Sequence, residues 1–531
     1  MITWRVEADF DRDGTWSTDL TPWVTMPGHG VTISRGVGRD GKPRTSSMSL
    51  ALNNQDGRFT PHNMTSPLYG LLEPGVPIRL TATYQNVDYT IWTGYAMTWS
   101  VNWSAGAVPM CRVDCDDLLE VMRSAPAVNV TASTTRTTGQ AINAVLDAIG
   151  IDVGARHVDA GVQSLPMHFA VGEEPLSALM AVAASEMGGM LWCDAQGRVR
   201  FESRASRVRR QVDDTWGVAG GVVPVSIEVE HNPLELVTSV SARGTKFIDG
   251  QADTPIFAFS QNMFTKPTAT SMALAAGEIY ERVFQANSVY VALTQPVAVV
   301  DYLANSAQNG SGTDRTSNLE VTVTDLGGGR FRLRLRNTYT ATIYVTKFQI
   351  RGQPTEFFAD RPEAAFSLSQ DGLPAGRELR FDVPFAGDTG QKLRDYAYQE
   401  LRVGRYPWPT LHLVFQPTGS AIPKLLAAEL GDLIKYADLV SGVNDTWYIE
   451  SLTYQVPPNW AGKSFNCQVA LVPSYVYRDL NKIVFDTFDR ANGSLGTSFS
   501  GDTWTAGSFA ISSNAAGPTS TTLQTPHVAV A

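Results

Sequence analysis

Residues 89–103 read YTIWTGYAMTWSVNW. The odd positions carry Tyr, Ile, Thr, Tyr, Met, Trp, Val and Trp, whereas the even ones are mostly small or polar. Such a period of two puts alternate side chains on opposite faces of a strand. With PIRLTATY (77–84) before it and SSMSLALN (46–53) earlier, the pattern predicts a small antiparallel barrel or sandwich over residues 1–105. Between these strands falls NNQDGRFTPHNMTSPLYG (53–70), polar and turn-rich, with Phe59, Pro61, Pro67 and Tyr69 along it. It reads as a structured excursion from the barrel.

The period then changes. In TTGQAINAVLDAIG, Ile142, Val145, Leu146 and Ile149 share a helix face and Gly150 supplies a stop; in EEPLSALMAVAASEMGG, Pro175 suits a first turn and Leu176, Leu179, Met180, Ala183 and Met187 line one side. MLWCDAQGRVRFES should form a hairpin turning at Asp194 to Gly197, so 106–225 reads as an α+β module. A second β region opens at 226–250 and resumes after a helix (391–404) to fill 391–480. The interruption, 251–390, includes a polar connector expected to be flexible (305–318) and a run of three strands (319–352), and reads as an inserted β-sandwich-like domain. The fold class is therefore mainly β and multidomain.

Composition narrows the function. A chain of 531 residues with 43% apolar and 18% charged residues needs several cores, and it is neither disordered nor rich enough in long apolar runs for an integral membrane protein. The start MITWRVEADFDRDG is acidic where a signal peptide is basic, so synthesis in a cytoplasm is expected. A net charge of −10 argues against a protein built to grip a phosphate backbone. Four cysteines (Cys111, Cys115, Cys193, Cys467) are too few for a disulfide framework and lack zinc spacing. They should be small buried hydrophobes.

Motifs with chemical meaning are weak. GVGRDGK (36–42) matches GxGxxG, but Pro43 and a strand follow it instead of a helix, so a hairpin loop is the better reading. DFDRDGTW places Asp9, Asp11, Asp13 and Gly14 as in a calcium loop, yet position twelve is Leu20 where a bidentate Glu is needed. The sequence contains no HExxH and no GxSxG, and the pairs Asp116/Asp117 and Glu173/Glu174 stand at helix starts, where acidic residues suit the dipole. Neither catalysis, nor a metal, nor a cofactor is expected.

The order of parts resembles the hub, or minor tail, proteins of long-tailed (siphovirus-like) bacteriophages, related to the trimeric hubs of baseplates and type VI secretion spikes. The residues carrying the resemblance are ISRGVGRDG, SLALNNQDGRFTPHN, SPLYGLLEPGVPIRL, AINAVLDAIG, ALMAVAASEMGGMLWCDAQGRVRFESR, YVTKFQIRG, ELGDLIKY and WYIESLTYQV, spread over roughly 1–480. It implies hub β-barrels at 1–105 and at 226–250 with 391–480, and a homotrimer giving a pseudo-sixfold ring at the tail tip of a virion assembled in the host cytoplasm. Implied partners are distal tail and tail tube proteins, the tape measure protein, receptor-binding or tip proteins and the host cell surface, with DNA passing through unbound. In such hubs, excursions like 53–70 pack on neighbouring subunits, which would make Phe59, Pro61, Pro67 and Tyr69 interface residues; the loop folded back on its own barrel is the other reading. On strand SIEVEH, Ser226, Glu228 and Glu230 share one face, so Glu228 and Glu230 should look toward the channel, a polar subunit boundary or outer solvent, with Ile227 and Val229 buried. Residues 481–531 resemble the start of a lectin-like sandwich but are too short to complete one. A tail-associated cell-wall hydrolase and a carbohydrate-binding adhesin are the alternative functions.

Overall fold

The computed structural model describes residues 2–24, 30–37, 43–103, 108–165, 167–186, 188–230, 237–245, 247–259, 271–357, 363–367, 377–382, most of 393–401, 409–438, 441–457 and 465–474, with three short strands between 493 and 518. Strand Val87–Asn102 lies inside a thirteen-stranded sheet, between Val76–Tyr84 and Met110–Asp116. Its alternation is interrupted twice. Leu80 faces Trp92 while Thr81 faces Thr90, leaving Ile91 as an extra residue; Ala96 faces Cys115 while Thr98 faces Asp114, leaving Met97 as another. Each bulge shifts the phase by one. Between the bulges the even residues Trp92, Gly94 and Ala96 are buried, and beyond the second it is Trp99 and Val101 that pack partly on the core. The single odd-numbered face expected from the sequence is corrected accordingly. Gly94 has a physical reason to be glycine, since a Cβ there would lie 2.4 Å from the Asp116 carbonyl oxygen and from the Trp92 ring.

The two expected β units meet edge to edge. Strand Val31–Val37 pairs with Pro43–Asn53 on one side and with Asn444–Val456 on the other, Gly36 opposite Ser451 and Val31 opposite Val456. The sheet consequently runs without a break through Ser226–Glu230, Thr410–Phe415, Asn466–Pro473 and Asn444–Val456 into Val31–Val37, Pro43–Asn53 and the rest of the N-terminal strands. One core serves both parts, holding Trp4, Ile33 and Trp92 together with Trp216, Phe415, Tyr454 and Phe465. Burying such large side chains, at about 25 cal/mol per Å² of apolar surface, stabilises the junction.

Of the segment 226–250, only Ser226–Glu230 belongs to this sheet. Strand Val237–Arg243 pairs with Glu363–Ser367 and Arg377–Asp382, and its Val237, Val240 and Ala242 cluster with Leu393, Ala397 and Leu401 of a helical stretch. Strand Phe247–Asp249 pairs with the long strand Ile343–Phe357 of the insert.

The α+β module follows its local signals. Asp117 caps helix Leu118–Arg123 by accepting from the Leu119 and Glu120 amides, and helix Thr138–Ala148 opens on a capping box between Thr137 and Gln140. Pro175 starts helix Pro175–Ala184, and Met190–Cys193 pairs with Val199–Glu202 across a turn closed by the Gly197 amide on the Asp194 carbonyl, 2.9 Å. Met187 lies outside the described residues.

In the insert, Ile343–Phe357 holds five shorter strands, and a three-stranded sheet of Ile279–Gln285, Arg330–Asn337 and Leu319–Gly327 closes over it on a core rich in phenylalanine. It is a β-sandwich-like unit. Its Gly327–Gly329 turn docks on the module: the Gly328 amide donates to the Val130 carbonyl at 3.2 Å, and Thr131 Oγ1 donates to Asp325 at 3.3 Å. The connector 305–318, expected to be flexible, is tied down instead. Asn305 Nδ2 donates to the Gly310 and Gly312 carbonyls, both at 3.1 Å, and Asp314 accepts from Thr316. Of 481–531, short strands at Gly493–Ser494, Phe509–Ser512 and Ala515–Pro518 pair with one another, and the remainder lies outside the described residues.

Candidate functional site

Where the sheet joins its two halves, the module packs against it through buried charge. Arg35, on the seam strand and 1% exposed at its side chain, pairs with Glu429 and donates to the Cys193 carbonyl at 3.3 Å. Glu429 also accepts from the Ala195 amide at 2.9 Å, so one carboxylate holds all three parts. Burial works to lower the Arg35 pKa, but Glu429 beside it outweighs that and the net direction is upward. Close by, Arg210 grips Glu202 at 3.0 Å, Asp213 at 2.6 Å and Asp432 at 2.6 Å. Here carboxylates outnumber guanidinium groups in a water-poor site. Burial lifts Asp432 to about 7 against the pull of Arg210, and it raises Glu202 as well. Nothing local marks these charges for burial, because Arg35 meets Glu429 394 residues away and Arg210 meets Asp432 222 residues away.

The excursion 53–70 is a staircase of turns. Amides of Gly57, Thr60, Asn63, Ser66 and Tyr69 each donate to the carbonyl three residues back, at 3.0–3.2 Å. Asn54 locks it, its Oδ1 accepting from the Phe59 amide at 2.8 Å and its Nδ2 donating to Thr60 Oγ1 at 2.9 Å. Phe59 is wholly buried and meets Trp23 edge-on at 5.9 Å, while Arg58 lies over the Trp23 ring at 4.2 Å. This corrects the expectation for Phe59: its ring belongs to the chain's own core and cannot reach a neighbour. Pro61 is half-buried, whereas Pro67 and Tyr69 are exposed, and Met64, not among the expected interface residues, is 79% exposed. The loop thus has a core side and a tip side.

Glu228 and Glu230 lie on the terminal strand of the large sheet, paired on one edge by Thr410–Phe415. Both are exposed, and Glu230 stands 3.4 Å from His412. Ile227 packs partly on the core, but Val229 is also exposed, contrary to the expectation that it is buried. A strand face is buried only where another element covers it, and Ser226–Glu230 is largely exposed on both.

Other candidates resolve into structural roles. Asp9 accepts from the amides of Asp13 at 3.3 Å and Gly14 at 2.8 Å, which makes the acidic loop an Asp-anchored turn. In the GxGxxG stretch, Gly36 and Val37 are strand residues and Val37 pairs with Pro43, while 38–42 lie outside the described residues. His168 is buried against Arg136, and burial, then that charge, hold its pKa down at about 3, so it is a neutral packing residue. The four cysteines are buried, and burial raises their pKa values. Among the described residues no three His, Cys, Asp or Glu side chains converge on a metal-sized site, and no helix is long and apolar enough to cross a membrane.

No protein-family profile matches the sequence, and no curated protein matches it. Among solved structures, the chain is similar to the 43 kDa tail protein of prophage MuSo2 from Shewanella oneidensis, at 10% identity over 89% of this chain and 99% of that one, with a TM-score of 0.46. A tail protein from Neisseria meningitidis MC58 is similar at 10% identity over 90% and 98%, TM-score 0.46. The Escherichia coli c3393 protein, a component of the type VI secretion system, is similar at 7% identity over 89% and 76%, TM-score 0.35.

Proposed function

We propose that the chain is the structural hub of a phage-type tail tip, a homotrimer that joins a sixfold tail tube to a threefold tip, closes or gates the DNA channel and anchors host-recognition components. The observation that carries this reading is the edge-to-edge seam between Val31–Val37 and Asn444–Val456, which joins two β units of one chain in a single sheet. Three chains then supply six units, the number a sixfold tube requires. Met64, Pro67 and Tyr69 at the tip of the rigid excursion suit contact with a neighbour, being apolar and exposed on a backbone already ordered. Glu228 and Glu230, on the outermost sheet strand, suit a channel wall or a polar subunit boundary. Negative charge there, in a trimer bearing three times the −10 of one chain, would let DNA pass without being held.

Native mass spectrometry of the purified full chain, with electron microscopy of the same sample, tests the proposal. Three copies around an open or plugged lumen are expected. A monomer at every concentration overturns the hub reading; clearing of peptidoglycan in a zymogram would favour a wall hydrolase, and binding on a glycan array an adhesin.

A further inference from the structure

The outward face of the insert's three-stranded sheet carries a row of arginines. In strand Arg330–Asn337 burial alternates without a fault, so Phe331, Leu333, Leu335 and Asn337 point inward and Arg330, Arg332, Arg334 and Arg336 point out. Alternate residues of a strand lie about 6.7 Å apart, which makes four guanidinium groups in line over about 20 Å. The register then fixes what flanks them. On one side Ile279 and Val283 stand opposite Arg336 and Arg332, both about half exposed. On the other, Thr322 and Thr324 stand opposite Arg334 and Arg332.

The row is only partly neutralised. Glu281 lies 3.6 Å from Arg332 and 3.7 Å from Arg334, and Glu320 lies 3.4 Å from Arg336, with every side chain in these pairs between 44% and 57% exposed. Such loose, solvated pairs contribute little and yield readily to a better anion. Arg330 has no ion-pair partner among the described residues, and two positive charges remain in excess on this face. In a chain of net charge −10 this concentration is local.

We propose that this face binds a linear phosphodiester polymer with a saturated polyol backbone, laid along strand Arg330–Asn337. Guanidinium forks match phosphate oxygens, and evenly spaced anions along an extended chain can meet evenly spaced arginines. The aliphatic side chains flanking the row suit the carbon backbone of such a polymer, and the threonine hydroxyls suit its free hydroxyl groups. A single-stranded nucleic acid fits less well, because it binds sheet faces by stacking bases on aromatic rings. Here the aromatics of these strands, Tyr280, Phe284 and Phe331, belong to the inner, core-facing set. This inference goes beyond the assembly role and concerns the isolated chain, so it stands or falls independently of the trimer.

The test is a titration of the full chain with poly(glycerol phosphate) of about ten units at several salt concentrations, beside single-stranded DNA and poly(glutamate) of equal charge number. The polymer is expected to bind with a log–log salt slope of about −2 to −3, as three or four neutralised phosphates would give. The double variant R332Q/R334Q should bind at least about tenfold more weakly with about half that slope, and R330Q by itself should show a smaller loss in the same direction. Both variants replace exposed side chains, and an unchanged thermal melt would show that the fold is intact. Absence of polymer binding at low salt, equal binding by the variants, or DNA or poly(glutamate) bound as tightly as the polymer overturns the proposal. A change in oligomeric state in the double variant would assign the face to a second copy of the chain and overturn it equally.

Discussion

Arginine is used in two opposite ways in this molecule. Arg35 is buried and Arg210 partly buried at the junction of the sheet and the module, each held by a carboxylate from a distant part of the chain, whereas Arg332, Arg334 and Arg336 stand in water on the insert with long, loose pairs. A buried guanidinium cannot be left without its partner, so the first group enforces one arrangement of the parts. An exposed one keeps its hydration and its freedom to meet an external anion. The two groups should therefore respond differently to substitution, pH and salt.

The largest expected effect is at the seam. Arg35→Met leaves the partly buried Glu429 without its charge partner and should cost roughly 3–5 kcal/mol, while adding Glu429→Leu should recover part of the loss, the uncompensated charge being removed but the Ala195 amide losing its acceptor. Urea unfolding followed by tryptophan fluorescence reads both variants. A loss below about 1 kcal/mol for the single substitution would show that Arg35 does not hold the junction.

Next comes the contact between insert and module, which is steric and not ionic. A Cβ on Gly328 would meet Asn129 Oδ1 at 2.7 Å and the Ala170 carbonyl oxygen at 2.9 Å, and the residue has φ +58°. Gly328→Val should lift the turn off the module at a local cost of about 2 kcal/mol. Amide exchange along Val128–Ser133 should then speed up while the seam strands stay protected; unchanged exchange there would mean the turn does not depend on that close approach.

The pH response separates the two arginine groups again. Asp432 titrates at about 7 in the folded chain, against an ordinary value of 3.8. Between those limits the folded state binds a proton that the unfolded state releases, so this contribution to stability is full below about 4 and is lost as the pH rises through 7. The slope should be on the order of 1 kcal/mol per pH unit, and Asp432→Asn should flatten it. Melts recorded from pH 4 to 8 in both proteins check this, and parallel curves would count against a buried proton at Asp432. Smallest of all, Glu281→Gln on the exposed sheet should change stability by less than about 0.5 kcal/mol. A larger loss would mean that the arginine row is a structural element held by Glu281.

Local signals were legible where neighbours in sequence settle the matter. Pro175 starts its helix, strands stand at 319–327, 330–337 and 343–357 where a strand–turn–strand run was read, and Arg330–Asn337 alternates throughout, because each depends on contacts a few residues away. Strand Val87–Asn102 was read with the right period and the wrong phase. A bulge is set by register against Val76–Tyr84 and Met110–Asp116 and leaves no mark in the strand itself.

The mainly β, multidomain character and the excursion after Asn53 were determined by the sequence alone, since periodicity and turn chemistry act over short distances. Only the tertiary structure decided that Phe59 turns into the core, that Val31–Val37 pairs with a strand more than four hundred residues away, and that Arg35 with Glu429 and Arg210 with Asp432 meet where water is partly excluded. Each of those outcomes depends on which remote surface closes over a side chain. Burial and the energy of a charge are properties of that surface, not of the residue.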